Sequence, residues 1–350
     1  MKAWENNIRK VVPYTPGEQP KLKNIIKLNT NENPYPPSPL VLEELSKMDY
    51  EKFRLYPDPE VKELNEAIAN SLGVSEDMVF TGVGSDDVIS MIFMTFFNSD
   101  KPILFPEISY SFYSVWANLH RVPYETVRLD DDFNIVISDF NKTNGGIIFP
   151  NPNAPTSKYL SLDLVEEIIK NNSESIVVVD EAYIDFGGES AIGLISKYDN
   201  LLVVQTFSKS RSMAGLRIGY AIGNSRLIAA LNDVKFSFNS YTMNMAAIKL
   251  GTAAIADKEY FEESCSKIIK TRQRTMAELE KLGFSFPDSK SNFIFATHKN
   301  KKAEEIFVKL KEKNIFVRYF KQPRIDNYLR ITIGTDSQMD ALITALKEIL

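Results

Sequence analysis

Residues Leu201-Leu-Val-Val-Gln-Thr-Phe-Ser-Lys209 pass from a wholly apolar run to a polar one within a few positions. A run that short, with Val203 and Val204 at its centre, reads as a strand buried on both faces, the pattern of a parallel sheet covered by helices. The same design recurs twice. Gly145-Gly-Ile-Ile-Phe149 ends in an Asn/Pro turn, and Ser175-Ile-Val-Val-Val179 ends at Asp180. The helical pattern Ser161–Ile169 lies between them, so strands and helices alternate and the expected class is α/β. Open sheets of this class hold their ligands beyond the carboxyl ends of the strands, where Lys209 falls.

The polar residues at these strand ends have chemistry in common. Lys209 brings an amine, Thr206 and Ser208 bring hydroxyls, and Arg217 brings a fork of donors suited to a phosphate. An amine beside an anion site suits covalent capture of a phosphorylated aldehyde. Asp180 closes an apolar strand, and a carboxylate there calls for a cationic partner, since burying it unpaired is costly. Val79-Phe-Thr-Gly82-Val-Gly84-Ser85-Asp86 reads as strand, glycine turn and helix start. The amides of Ser85 and Asp86 can approach an anion there; the same spacing also fits Ser85 as a plain N-cap. Taken singly, Lys209 is also a solvated lysine, Asp180 a solvated strand-end acid, Tyr110 a core aromatic and Arg330 a surface strand arginine.

Size and composition narrow the classes. A length of 350 residues favours two domains, or one large domain with a satellite. A net charge of −5 argues against a nucleic-acid surface and suits a cytoplasmic protein. The single Cys265 excludes an internal disulfide, and His120 and His298 lie too far apart in sequence to suggest a histidine metal site; no metal is expected. The first residues have no apolar core of a signal peptide, and no apolar run approaches the ~18 residues of a membrane span. Asp58-Pro59 is expected to cap and open a helix carrying Val61, Leu64, Ile68 and Leu72, with Gly73 as its stop.

The motifs together resemble one family. Ser208-Lys209 followed by Gly215-Leu-Arg217-Ile-Gly219 resembles the lysine segment of fold-type I pyridoxal-phosphate enzymes and, more narrowly, of the histidinol-phosphate aminotransferases. Asn151-Pro-Asn153-Ala-Pro-Thr156 resembles their asparagine loop, although Ala154 and Ser157 stand where the family has a second asparagine and a glycine. Leu28-Asn-Thr-Asn31-Glu32-Asn-Pro and Leu329-Arg330-Ile-Thr-Ile-Gly334 are similar to its N-terminal and carboxylate-binding motifs. The resemblance covers nearly the whole chain, with the motifs in family order.

It implies a fold-type I transferase whose large domain, residues 40–255, has a mostly parallel sheet. Residues 1–39 and 256–350 would form a small α+β domain, bridged by a long helix over 257–282. The cofactor implied is pyridoxal 5'-phosphate. Lys209 would hold it, Asp180 would pair with its ring nitrogen, Asn153 and Tyr183 would reach its phenolic oxygen, and Tyr110 would stack on the ring. Ser85, Asp86, Thr206, Ser208 and Arg217 would bind its phosphate, joined by Tyr56 from the other subunit of a homodimer. Tyr14, Asn31, Arg318 and Arg330 would contact substrate, with Asn31 and Glu32 near the mouth of the site. The activity implied is transfer of an amino group between histidinol phosphate and 2-oxoglutarate, giving imidazole-acetol phosphate and glutamate. Alternatives left open are an aromatic or broad-specificity aminotransferase, a related lyase or decarboxylase acting on threonine phosphate, and a non-catalytic regulator that binds the same cofactor.

Overall fold

The computed structural model describes residues 2–22 and 24–350. Strand β1 (Ile26–Leu28) is followed by β2 (Val79–Gly82), β3 (Ile103–Pro106), β4 (Tyr124–Val127), β5 (Ile147–Pro150), β6 (Val177–Asp180), β7 (Leu201–Thr206) and β8 (Gly219–Gly223). The last four are β9 (Phe284–Ser285), β10 (Phe293–His298), β11 (Ile315–Tyr319) and β12 (Leu329–Thr332). Seven of them form one sheet in the order β2-β8-β7-β6-β5-β3-β4. Within it β8 alone runs against its neighbours, and the remaining pairs are parallel.

The apolar runs earn their place in this sheet. Every residue of β5, β6 and β7 is buried, because helices cover both faces. Val177, Val179, Leu201 and Val203 pack into the core on one side, and Val178, Leu202 and Val204 into the core on the other. Each such side chain contributes roughly 1.5–3 kcal/mol by leaving water. The crossovers bring the carboxyl ends of β2, β3, β5, β6 and β7 to one edge, with the polar residues of the sequence motifs immediately beyond them.

A second sheet has the order β1-β11-β12-β10-β9, with β1 parallel to β11 and the other pairs antiparallel. The helix Ala303–Glu312 and the final helix Asp336–Ile349 pack with it, the latter opened by a capping box of Thr335 and Gln338. The expected long helix spans Lys258–Lys281, with Asp257 accepting the Tyr260 N–H at its start. Tyr183 and Phe186, which follow β6, sit in the core of this second sheet, so the two sheets share an interior at that point.

Two helix starts differ from the sequence reading. The helix expected from Pro59 begins at Lys62, and Val61 precedes it in the left-handed region at φ 56°. Asp58 still supplies the cap from further back, accepting N–H groups of Glu60 at 3.0 Å and Lys62 at 2.9 Å. A β-branched residue is strained there by ~1–3 kcal/mol, and burial of the Val61 side chain in the core offsets it. The second difference is at Ser85, which is the first residue of the helix Ser85–Phe96 and not its cap. Gly84 holds the cap position at φ 86°. With ψ 162° this is a backbone conformation that is essentially glycine's alone, and a side chain there would also have to push the Arg217 guanidinium aside. Among the described residues no helix is long and apolar enough to cross a membrane.

Candidate active site

The sheet edge opens into a cavity of about 240 Å³ lined by Ser85, Asp86, Tyr110, Asp180, Tyr183, Thr206, Ser208, Lys209 and Arg217. A second cavity of about 170 Å³ is lined by Tyr14, Asn31, Arg318 and Arg330 and shares Thr30, Tyr110, Ala154, Tyr183 and Lys209 with the first. The two are halves of one cleft. Lys209 stands where they join, its Nζ 3.5 Å from the Thr30 carbonyl and 5.8 Å from the centre of the Tyr183 ring.

One half is built to take an anion. The helix Ser85–Phe96 points its N-terminus into the cavity with no side chain capping it, which leaves its first N–H groups free. The amide of Ser85 is packed against β8: a Cβ on Gly219 would lie 2.2 Å from the Ser85 nitrogen. Arg217 approaches Ser208 Oγ at 3.4 Å and Asp86 at 3.4 Å, and Asp86 also accepts the Tyr110 hydroxyl at 2.8 Å. Thr206 is the least available of this set. Its hydroxyl donates to the Ile218 carbonyl and accepts the Ser208 N–H, so it shapes the turn that carries Lys209.

Asp180 is buried at the end of β6 and accepts the Tyr113 hydroxyl at 2.8 Å and the Ala182 N–H at 3.2 Å. Burial pushes its carboxyl up to about 6, against the pull of those two hydrogen bonds. No Lys or Arg forms a salt bridge with it among the described residues. Asn153 is buried in the turn after β5. Its Nδ2 donates to the Ile108 carbonyl and to Thr156, while Oδ1 has no partner among the described residues.

The other half is positive. Arg318 of β11 and Arg330 of β12 are directly opposite each other in register, a like-charge pair that ordinarily destabilises a sheet. Neither has an acidic partner within salt-bridge distance among the described residues. Arg330 donates to the Asn29 carbonyl at 3.0 Å, lies between the rings of Phe293 and Phe320, and keeps Nε unpaired. Burial, reinforced by the Arg318 charge, lowers its basicity. An anion bound across both arginines removes that repulsion.

Not every expected residue meets here. Tyr56 is 81% exposed, stacks on Tyr241 at 4.6 Å and lines neither cavity. Asn31 lies deeper than expected: it is buried and hydrogen-bonded to Tyr183 and Thr332, while Glu32 lines the cavity and pairs with Lys27. Sequence reasoning missed Tyr113, Thr332 and Gln19. Tyr113 follows Tyr110 by three positions across the turn that opens the helix Phe112–His120, its N–H donating to the Tyr110 carbonyl at 3.1 Å, and that nearness in sequence is the signal that connects it to the same site. Gln19, from the turn-rich N-terminal segment, lines the first cavity.

Fold and site define a class. The profile of the family described as "Aminotransferase class I and II" matches residues 23–346, and the chain belongs to that family, which has the fold-type I architecture of pyridoxal-phosphate-dependent transferases. Within it, the chain is 54% identical over 347 residues to "Histidinol-phosphate aminotransferase 1" of Hydrogenovibrio crunogenus, covering 99% of this chain and 98% of that one. It is 52% identical over 349 residues to the histidinol-phosphate aminotransferase of Clostridium botulinum strain Kyoto, covering 100% and 99%. The crystal structure of the histidinol-phosphate aminotransferase from Clostridium acetobutylicum superposes with a TM-score of 0.85 at 26% identity, over 93% of this chain and 99% of that one. The enzyme of the same description from Sinorhizobium meliloti, in complex with pyridoxal-5'-phosphate, gives 0.84 at 24% identity over 93% and 90%. The residues in the cleft fit such a group. The uncapped helix start and Arg217 suit a phosphate and the buried carboxylate of Asp180 suits a protonated ring nitrogen, whereas Asn153 lines neither half of the cleft and its Nδ2 is already taken by Ile108 and Thr156.

Proposed function

We propose that this chain is a pyridoxal-phosphate-dependent transaminase that moves the amino group of histidinol phosphate to 2-oxoglutarate. The observation that carries the reading is the position of Lys209 between an anion-binding turn and two unpaired arginines. A cofactor phosphate fits the first, and the phosphate of one substrate or a carboxylate of the other fits the second. Full-length relatives described as histidinol-phosphate aminotransferases support the choice of substrate.

Bound pyridoxal phosphate supplies an aldehyde for the substrate amine and a ring that withdraws electrons from Cα. The chain's residues do the rest. Lys209 Nζ, a free amine when substrate fills the cleft, would take the proton from the substrate Cα and deliver it to the carbon derived from the aldehyde. Asp180 keeps a proton on the ring nitrogen. Tyr183 would hydrogen-bond the phenolic oxygen, Asn153 would join it once its Nδ2 leaves Ile108 or Thr156, and Tyr110 would cover the ring face. The Ser85 and Asp86 amides, Ser208 and Arg217 would hold the phosphate, with Thr206 shaping the turn beside it. Tyr14, Arg318 and Arg330 orient substrate.

The reading extends to organisation. Residues 40–255 form the cofactor domain, and 1–39 with 256–350 the small domain; the division of strands between two sheets supports this. Tyr56 completes the phosphate site of a partner copy in a homodimer, in keeping with its exposure and with the exposed apolar side chains that precede it in the chain, Leu42, Leu45, Tyr50, Phe53 and Leu55. The protein works in the cytoplasm.

Product analysis tests the proposal. Purified protein with histidinol phosphate and 2-oxoglutarate is expected to yield glutamate and a keto phosphate in equal amounts, and Lys209→Ala to yield neither. Release of carbon dioxide from threonine phosphate, or amino transfer from aromatic amino acids but not histidinol phosphate, would replace it.

A further inference from the structure

The hydroxyl of Tyr183 has one hydrogen-bond partner among the described residues, the side chain of Asn31, with Asn31 Nδ2 2.9 Å from the phenol oxygen. Asn31 is itself fixed. Its backbone N–H donates to Thr332 Oγ1 at 3.0 Å, and Thr332 Oγ1 lies 3.0 Å from Asn31 Oδ1. Asn292 Nδ2 donates to the Asn31 carbonyl at 3.0 Å. All four residues are buried, and Asn31 has a left-handed backbone at φ 56°, which asparagine tolerates better than most residues.

The direction of each bond follows from what each group can do. Thr332 accepts the Asn31 N–H, so its own hydroxyl hydrogen is free to donate, and the acceptor beside it is Oδ1. With the amide turned over, the buried Thr332 hydroxyl would have no acceptor among the described residues, so Nδ2 faces Tyr183. An amide nitrogen only donates, so the Tyr183 oxygen accepts. The hydrogen of Tyr183 is therefore not used inside the protein. It points toward the cleft, whose wall Tyr183 forms beside Lys209.

We infer that Asn31 is a positioning residue: with Thr332, it sets the direction of the Tyr183 hydroxyl so that this group donates into the cleft. The inference rests on the reading above, in which Tyr183 faces the phenolic oxygen of the cofactor. It gives Asn31 a role through Tyr183 in place of substrate contact. It also ties the small sheet, through Thr332 of β12 and the segment after β1, to a residue that follows β6 of the large one.

The test uses the cofactor-loaded protein and reads the pH at which the absorbance of the bound cofactor changes. A donor on the phenolic oxygen holds that oxygen ionised, so losing the donor moves the transition to higher pH. Asn31→Asp keeps the shape and suits the left-handed backbone, but its carboxylate accepts the Tyr183 proton and turns it away from the cleft. Asn31→Asp and Tyr183→Phe are each expected to raise the transition by roughly one pH unit, and the double variant to match Tyr183→Phe alone. Thr332→Val, which frees the amide to turn over, is expected to move it the same way by less, and it carries the test if Asn31→Asp does not fold. A transition unmoved by Asn31→Asp or by Thr332→Val, while Tyr183→Phe moves it, overturns the inference. So does a shift from Asn31→Asp that persists in full beside Tyr183→Phe, since it would then be a bare charge effect. If Tyr183→Phe moves nothing, the reading of Tyr183 itself fails and takes the inference with it.

Discussion

Removing one oxygen, in Tyr113→Phe, is expected to weaken cofactor binding in a way that depends on pH. Tyr113 is fully buried and donates to Asp180 at 2.8 Å, and burial together with the Asp180 charge holds its own ionisation far above the ordinary range, so it remains a donor at any working pH. A hydrogen bond to a charged acceptor contributes ~1.5–3 kcal/mol, and about 1.4 kcal/mol is a tenfold change in an ionisation equilibrium. Losing it raises Asp180 from about 6 to roughly 7.5 in the cofactor-free protein, with the Ala182 N–H left as its remaining donor. The sign follows. A carboxyl is ionised above its pKa, so the variant needs a higher pH to present the charge that a protonated ring nitrogen requires. At pH 7 the ionised fraction drops from about nine-tenths to about a quarter, a loss of roughly fourfold in affinity, and the loss fades as the pH approaches 9. Fluorescence titration of the cofactor-free protein with pyridoxal phosphate at pH 6, 7, 8 and 9 reads this directly. An affinity unchanged at pH 7, or lowered equally at all four values, would refute the reasoning.

Other perturbations have separate readouts. Gly219→Ala places a methyl 2.2 Å from the Ser85 nitrogen and 2.3 Å from the Gly84 carbonyl carbon, both of them backbone. Cofactor affinity should fall more than about tenfold, the cost of losing one charge-assisted bond, with the circular dichroism spectrum unchanged. Arg330→Lys keeps the charge and loses the fork, so KM for 2-oxoglutarate should rise by roughly 10–100-fold in steady-state assays while cofactor affinity stays the same. Tyr56→Phe should lower cofactor affinity. In dimers mixed with Lys209→Ala subunits, the defect should follow the site that receives the altered tyrosine and not the subunit that carries it.

The sequence made legible what a strand end makes local. Lys209, Asp180 and Asn153 each follow an apolar run too short and too continuous to be anything but a buried strand, and the sheet carries all three to one edge. What stayed hidden depends on partners distant in the chain. Tyr113 is one more aromatic on an apolar helix face until β6 brings Asp180 to it, and Asn31 meets Thr332 across 301 positions. The start of the helix at Lys62 was misplaced because burial of Val61 holds a backbone that local preference disfavours. The pairing of Arg318 with Arg330 needed the register of two strands joined by a long connection. Within its own chain Tyr56 stacks on Tyr241 and lines neither cavity, so only the family resemblance gave it a role.

The most direct test of the central claim separates the two halves of the reaction. The cofactor-loaded protein is mixed with histidinol phosphate in the absence of any keto acid, and its absorbance spectrum is followed. The account predicts that the yellow band of the aldehyde form gives way to the band of the amino form, and that 2-oxoglutarate restores the first with one glutamate released per site. A yellow protein whose spectrum histidinol phosphate leaves unchanged, or whose changed spectrum 2-oxoglutarate fails to restore, would contradict it.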